Sequence, residues 1–349
     1  MNSTSQHKEF NPNGVGLKNG NFIGLPFDEN TAKVILLPVP WDVTVSYREG
    51  TAMAPQAILD ASVQLDLFDA DIQDAWKQGI FMLPLPDELL AQRDNWRPKA
   101  AEYIDFLEAG GNIAENPEMQ ELLNTINEAC ANMNNKVWQE SKKWLDDNKL
   151  VGLVGGDHST PLGFLKALSE KYNDFGILQI DAHHDLREGY EGFKYSHASI
   201  FFNALKLNSV SKLVQVGIRD YCEEEVQFIK NREKQISVFY DQEIKERIYE
   251  GTSWNRQCDQ IIEELPENVY LSFDIDGLDP KLCPGTGTPV PGGLEFYEVN
   301  YLIKKLVESG RTIIGFDLCE VGTDEWDANV GARILYKLCN WSGRSQGMI

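Results

Sequence analysis

Val151-Gly152-Leu153-Val154-Gly155-Gly156-Asp157-His158-Ser159-Thr160 changes character halfway along its length. The first half is a short continuous apolar run, which suits a strand buried on both faces of a parallel sheet. The second half passes through two glycines to an acid, an imidazole and two hydroxyls. From 161 to 172 the apolar spacing turns helical, with Ser159 or Thr160 available as N-cap. Strand, polar turn and helix in that order form part of a β-α-β unit, and they place the reactive side chains at the strand's carboxyl end.

The same unit recurs outward in both directions. Strand-length apolar runs lie at 34–37, 175–180, 212–217, 236–240, 269–273 and 312–318. Helical spacing lies at 55–62, 223–233, 254–265, 297–308 and 328–338. The alternation predicts an α/β protein of three layers, α/β/α, around a mainly parallel central sheet, with the whole of 1–349 as one domain. Two segments stand outside it. Residues 1–30, with Asn11-Pro12-Asn13-Gly14, read as an irregular arm. Residues 83–149 read as a helical insertion without strands. Met119, Leu122, Leu123, Ile126, Cys130, Met133 and Val137 set one long amphipathic helix, and the part before Gly110-Gly111 is rich in acids and reads as loop.

Composition narrows the function. The 349 residues carry 54 acidic against 32 basic side chains, a formal charge of −22. A phosphate-binding partner needs a basic surface, so neither a nucleic acid nor an anionic membrane is expected. The longest apolar run, 34–40, is far short of the ~20 residues that span a bilayer. Six cysteines without a C-x-x-C pair read as reduced thiols, and no secretory signal is visible, so a cytoplasmic location is expected. The five histidines say more. His158, His183, His184 and His197 fall close together, and only His7 lies apart.

Three clusters of carboxylates and imidazoles follow predicted strands. They are Gly155-Gly156-Asp157-His158-Ser159, Asp181-Ala182-His183-His184-Asp185 and Ser272-Phe273-Asp274-Ile275-Asp276-Gly277-Leu278-Asp279-Pro280. Sites in open α/β sheets lie beyond the strands' carboxyl ends, so the three should converge. In an extended segment, positions i and i+2 share a face. That pairs Asp181 with His183, brings in Asp185, and pairs Asp274 with Asp276. So many acids in one cleft would repel each other and raise their own pKa values. Two divalent cations resolve the conflict, and the mixed oxygen and nitrogen donors favour Mn²⁺, with zinc and nickel not excluded by ligand type.

Taken in order, these motifs resemble the ureohydrolase (arginase/agmatinase) family of binuclear manganese enzymes, on its agmatinase-like branch. The resemblance extends to Pro40-Trp41-Asp42, Tyr47-Arg48-Glu49-Gly50-Thr51 and Ala54-Pro55-Gln56-Ala57-Ile58, and it runs from about Val34 to about Leu338. It implies two Mn²⁺ per chain. One ion would take His158 and Asp185, the other His183 and Asp276, with Asp181 and Asp274 bridging both. It implies a bridging hydroxide that attacks a guanidinium carbon and releases urea and an amine. It also implies that Glu320 pairs with the substrate guanidinium, the alternative being a solvated strand-end acid. His197 would be a proton shuttle or would orient the leaving amine, the alternative being a side chain that only lines the cleft. His184 should sit behind the metals or in the core, Asp157 could orient its neighbour His158, and Asp279 should hold a turn. Trimers or hexamers are expected by the same analogy.

The substrate is less constrained. The segment 284–294, dense in glycine and proline, resembles agmatinases more than arginases or formimidoylglutamases. Where arginases bind the substrate's α-carboxylate and α-amino groups, this chain has Arg187 and Cys222. That argues against arginine. Arg187 also argues against agmatine's distal ammonium and for a guanidino acid, unless it pairs with Glu188 or Glu191 and never meets substrate. Formimidoylglutamase or arginase-type activity remain alternatives. So do a zinc-dependent deacetylase, which uses fewer acids, and a non-catalytic sensor of guanidino metabolites.

Overall fold

A computed structural model describes residues 10–349. His7 and the first part of the expected arm lie outside them. The rest of that arm, to residue 30, contains only turns and the single 3₁₀ turn Phe22–Gly24.

In chain order the elements are β1 (Val34–Val39), α1 (Ala54–Ser62), β2 (Ile80–Met82), α2 (Asp87–Glu108), α3 (Pro117–Asp146), β3 (Leu150–Gly155), α4 (Leu162–Lys171) and β4 (Phe175–Ile180). Then follow α5 (Ile200–Ala204), β5 (Val210–Ile218), α6 (Glu223–Lys230), β6 (Ile236–Tyr240), α7 (Asp241–Tyr249), α8 (Trp254–Glu263), β7 (Asn268–Asp274), α9 (Phe296–Glu308), β8 (Thr312–Cys319) and α10 (Glu325–Ser345). The strands form one sheet in the order β2-β1-β3-β8-β7-β4-β5-β6, and every pairing is parallel. The central four, β3, β8, β7 and β4, are contiguous in space although β3 and β8 lie far apart in sequence.

Side chains alternate between two cores. Val34 and Leu36 of β1 belong to the core shared with α1, α8, α9 and α10, while Ile35, Leu37 and Val39 belong to the core shared with α2, α3, α4 and α5. Both faces are covered, so the strands read as unbroken apolar runs rather than alternating ones. This is the expected three-layer α/β/α arrangement.

Several elements differ from the sequence reading. The segment 87–108, expected as loop, is a 22-residue helix. It buries only Leu89, Ala100, Tyr103 and Ile104 and contains Pro98, so its apolar stripe is too thin to register. The edge strand β2 has only 3 residues. Helix α7 starts directly from β6 with no intervening turn residue. The long helix expected in the insertion is α3, whose buried residues include Ile126, Cys130, Met133 and Val137. Asn116 caps it, accepting from the Met119 N–H.

Among the described residues no helix is long and apolar enough to cross a membrane. All six cysteines are free.

Candidate metal centre

All three clusters emerge at the carboxyl ends of the four central strands. Gly155 ends β3, Ile180 ends β4, Asp274 ends β7 and Cys319 ends β8, each just before its polar residues. The turn after β3 is pressed against the segment following β1. A Cβ on Gly156 would come within 2.0 Å of the Trp41 carbonyl oxygen, so only glycine fits. That carbonyl accepts from the Asp157 N–H at 2.8 Å, which delivers His158 into the cleft.

His158 Nδ1 lies 3.0 Å from Asp181 Oδ2, 3.1 Å from Asp185 Oδ2 and 3.3 Å from Asp274 Oδ2. His183 Nδ1 lies 3.0 Å from Asp276 Oδ2 and 3.6 Å from Asp181 Oδ1. His158, Asp181 and Asp185 therefore make one donor group, and Asp181, His183 and Asp276 a second. Asp181 belongs to both. Asp274 offers Oδ2 to the first group, while its Oδ1 accepts from the Asp276 N–H at 2.9 Å. The i, i+2 reasoning holds for Asp181 and His183. It does not describe Asp185, which joins through a left-handed backbone at φ 56°. Glu320 is left-handed too, at φ 61°. Neither is glycine, and such conformations persist only where the surroundings enforce them.

The hydrogen bonds fix which nitrogen of His158 faces the acids. Ser272 Oγ donates to Asp317 Oδ2 at 2.6 Å, so its one proton is committed. It can then only accept from His158 Nε2, 2.9 Å away. Nδ1 turns its lone pair toward three carboxylate oxygens and has no hydrogen-bond partner among them. That is a repulsion unless a proton or a metal cation lies between them. Donors about 2.1 Å from an octahedral cation stand about 3.0 Å apart along an edge. The observed separations match, so this donor set fits a divalent cation.

Electrostatics agree. Burial alone would favour neutral His158, but Asp181, Asp185 and Asp274 outweigh it and hold the imidazolium well above the usual histidine range. Burial likewise opposes a charge on His183, and Asp276 and Asp181 raise it. Burial and neighbouring Asp181 push Asp185 up to about 7. Burial, Asp276 and Asp181 push Asp274 well above the carboxylate range. The cluster captures protons where cations would bind.

A third possible donor group, His158 with Asp317 and Cys319, lies behind the ring. Its members are satisfied without an ion, because Asp317 holds Ser272 and Cys319 Sγ meets Thr160 Oγ1 at 3.5 Å.

The sequence reading missed the supports. Ser272 with Asp317 orients His158. Asp157, considered for that task, instead accepts from Ser159 through Oδ1. Gln179 Nε2 donates to Asp181 Oδ2 at 2.8 Å and to the His183 carbonyl at 3.0 Å. Gln215 in turn donates to Gln179 Oε1 and accepts from His184 Nδ1 at 2.7 Å. His184 is fully buried and belongs to this relay, behind the acids. A glutamine inside an otherwise apolar strand was the available signal. Asp279 holds its turn, accepting from the Lys281 N–H at 3.0 Å.

The cleft has a volume of about 210 Å³, and its wall includes His183, Asp185, Arg187, His197 and Thr288. His197 has Nδ1 buried without a partner. Burial, with His183 and His158 nearby, lowers its pKa to about 4. Glu320 Oε1 accepts from the His158 N–H at 3.1 Å, and Oε2 has no partner. Burial and the nearby Asp157 carboxylate raise its pKa well above the usual range. A Cβ on Gly287 would crowd that oxygen at 3.0 Å, so the glycine leaves it room. Arg187 stacks over the Tyr190 ring at 4.9 Å and makes no ion pair with Glu188 or Glu191. Asp220 and Tyr221 stand on the same wall, and Cys222 caps α6 instead.

The sequence model of the Arginase family matches residues 32–339. An N(1)-aminopropylagmatine ureohydrolase from Synechocystis sp. is 30% identical over 325 residues, 90% of each chain. An agmatinase from Neisseria meningitidis is 28% identical over 341 residues, 95% of each chain. The solved agmatine ureohydrolase of Thermoplasma volcanium superposes with a TM-score of 0.69 at 22% identity, covering 99% of each chain.

Proposed function

The chain belongs to the arginase family, and from that premise we propose that it is a binuclear-metal ureohydrolase that cleaves a guanidino compound into urea and an amine. The observation that carries this reading is Asp181, which faces His158 with one oxygen and His183 with the other. His158 and Asp185 would hold one cation, His183 and Asp276 the other, with Asp181 and Asp274 between them. Divalent ions bound there supply an acidified water as nucleophile, and oxygen and nitrogen donors without thiolate favour manganese. The span of the family match and the single sheet support reading the chain as one domain.

The chain's own residues do the rest. Glu320 receives the guanidinium through its unpartnered Oε2, by charge-assisted hydrogen bonds. Water adds to the guanidinium carbon, and the bond from that carbon to the alkyl nitrogen breaks. The departing nitrogen needs a proton, and His197 on the cleft wall relays it.

The relatives named above point to a guanidino amine as substrate, and the exposed Asp220 carboxylate suits a cationic tail. Arg187, unpaired in the same wall, favours the second reading, a guanidino acid.

The test is a panel assayed on Mn²⁺-loaded protein with urea and ammonia readouts. It contains agmatine, N(1)-aminopropylagmatine, 4-guanidinobutyrate, arginine and N-formimidoylglutamate. Urea from a guanidino compound supports the reading. Ammonia from N-formimidoylglutamate alone, or no product from any compound, overturns it. An unchanged substrate profile in Arg187→Ala removes Arg187 from substrate selection.

A further inference from the structure

We infer that α2 clamps one wall of the cleft, and that Arg93 and Arg97 are positioning residues for the substrate. They stand four positions apart on one helical face. Neither lines the cleft. Both instead reach the segment 42–52, which does.

Arg93 Nε meets Asp42 Oδ1 at 2.5 Å, and Asp42 is completely buried. The other oxygen of Asp42 accepts from the Gly50 N–H at 2.8 Å and the Ala52 N–H at 3.2 Å. Arg97 Nη1 donates to the carbonyls of Val43 at 3.0 Å and Val45 at 2.8 Å. Its Nε donates to Glu49 Oε2 at 2.9 Å. The two guanidinium groups thus tie down both limbs of the segment, with 46–48 as an arch between them. A planar guanidinium suits this task, because its donors are fixed in a fork.

The arch touches the site twice. Ser46 lines the cleft. Arg48 Nη1 reaches across to the Pro284 carbonyl at 2.9 Å, at the start of the segment that carries Gly287 and Thr288. Thr288 lines the cleft and donates to Asp276 Oδ2 at 3.4 Å. A path of hydrogen bonds therefore runs from α2 through 42–52 to the segment 284–288, which packs against Glu320. The helix that the sequence did not reveal holds the substrate side of the cleft, while the metal donors come from the sheet. Loss of the clamp loosens substrate binding and leaves metal binding intact. The kinetic part of this inference rests on the ureohydrolase reading, and the structural part does not.

The experiment uses the full-length Mn²⁺-loaded protein with Arg97→Gln, Arg97→Lys and Arg93→Gln. Glu49→Gln serves as a mild variant that folds even if loss of an arginine does not, since Glu49 is an exposed side chain. Steady-state kinetics, metal content and amide exchange are measured on each. Arg97→Gln should raise KM about tenfold, with kcat within about twofold and metal content unchanged. Amides of 42–52 should exchange at least about tenfold faster, with those of β3 and β4 unaffected. Arg97→Lys should recover part of the KM, and Glu49→Gln should shift KM in the same direction by less. Unchanged exchange in 42–52 overturns the clamp. Faster exchange with an unchanged KM overturns the positioning role, as does a loss confined to kcat or to metal content. If the wild type cleaves no compound of the panel, the ureohydrolase reading fails, and the exchange data still decide the clamp.

Discussion

Glu320 accepts a hydrogen bond from the backbone N–H of His158 through Oε1, at 3.1 Å, and keeps Oε2 buried without a partner. The bond joins the end of β8 to the end of β3 and leaves the other carboxylate oxygen buried beside Gly287. A buried oxygen with no donor costs stability until a cationic ligand supplies one. Glu320→Gln keeps the shape and removes the charge. It should lower kcat/KM by about 100-fold and leave metal content unchanged. Urea release and elemental analysis on one preparation check both parts, and metal loss would count against the assignment.

Asp181 is the shared donor, so Asp181→Asn should disturb both ions. Metal content should fall from about two per chain to about one or fewer. Asp185→Asn should retain about one, because the group around His183 survives it. Titration with Mn²⁺ after chelation reads the stoichiometry. Equal losses in the two variants would contradict the sharing.

Ser272 acts at one remove, through the tautomer of His158. Ser272→Ala should weaken Mn²⁺ binding by about 10- to 100-fold without unfolding the protein. With saturating metal, activity should largely return. A variant that stays inactive in excess Mn²⁺ would show that the serine does something other than orient the ring.

Metal removal carries a pH signature. Asp185 in the metal-free fold titrates at about 7, well above an unfolded aspartate. The unfolded chain therefore ionises first, and the metal-free fold loses this contribution as pH climbs from about 4 to about 7. His158 acts in the same direction, since its raised folded pKa stabilises at low pH and that contribution fades as pH rises through it. Metal replaces these protons. The gain in Tm on adding Mn²⁺ to stripped protein should be larger at pH 8 than at pH 5. A gain that is equal or smaller at pH 8 would refute this.

The fold and the clustering of the candidate donors were legible for one reason. Strand-end motifs announce themselves through a change from apolar to ionisable residues, as at Val154 to His158. Helix α2 was not legible, because its job is to present Arg93 and Arg97 inward rather than an apolar stripe. The relay from Gln179 to His184 was equally hidden. A polar residue inside a strand shows only that something must satisfy it, and the partner, Gln215, comes from another strand. The left-handed backbones of Asp185 and Glu320 leave no mark in residue type at all.

The position of β8 has a consequence for how the protein is made. It lies between β3 and β7, yet it is the last strand in chain order. His158 follows the strand on one side of it, and Asp274 ends the strand on the other. Until β8 has been synthesised and inserted, the strands beside it lack their central pairing, and the two halves of the donor set have no fixed separation. Pairings this distant in sequence form slowly, because loop closure precedes their reward. Completion of the candidate donor group around His158 is therefore a late event in the life of the nascent chain. Its acids come from the neighbouring strands β4 and β7, and His158 joins them only when the final strand bridges β3 to β7.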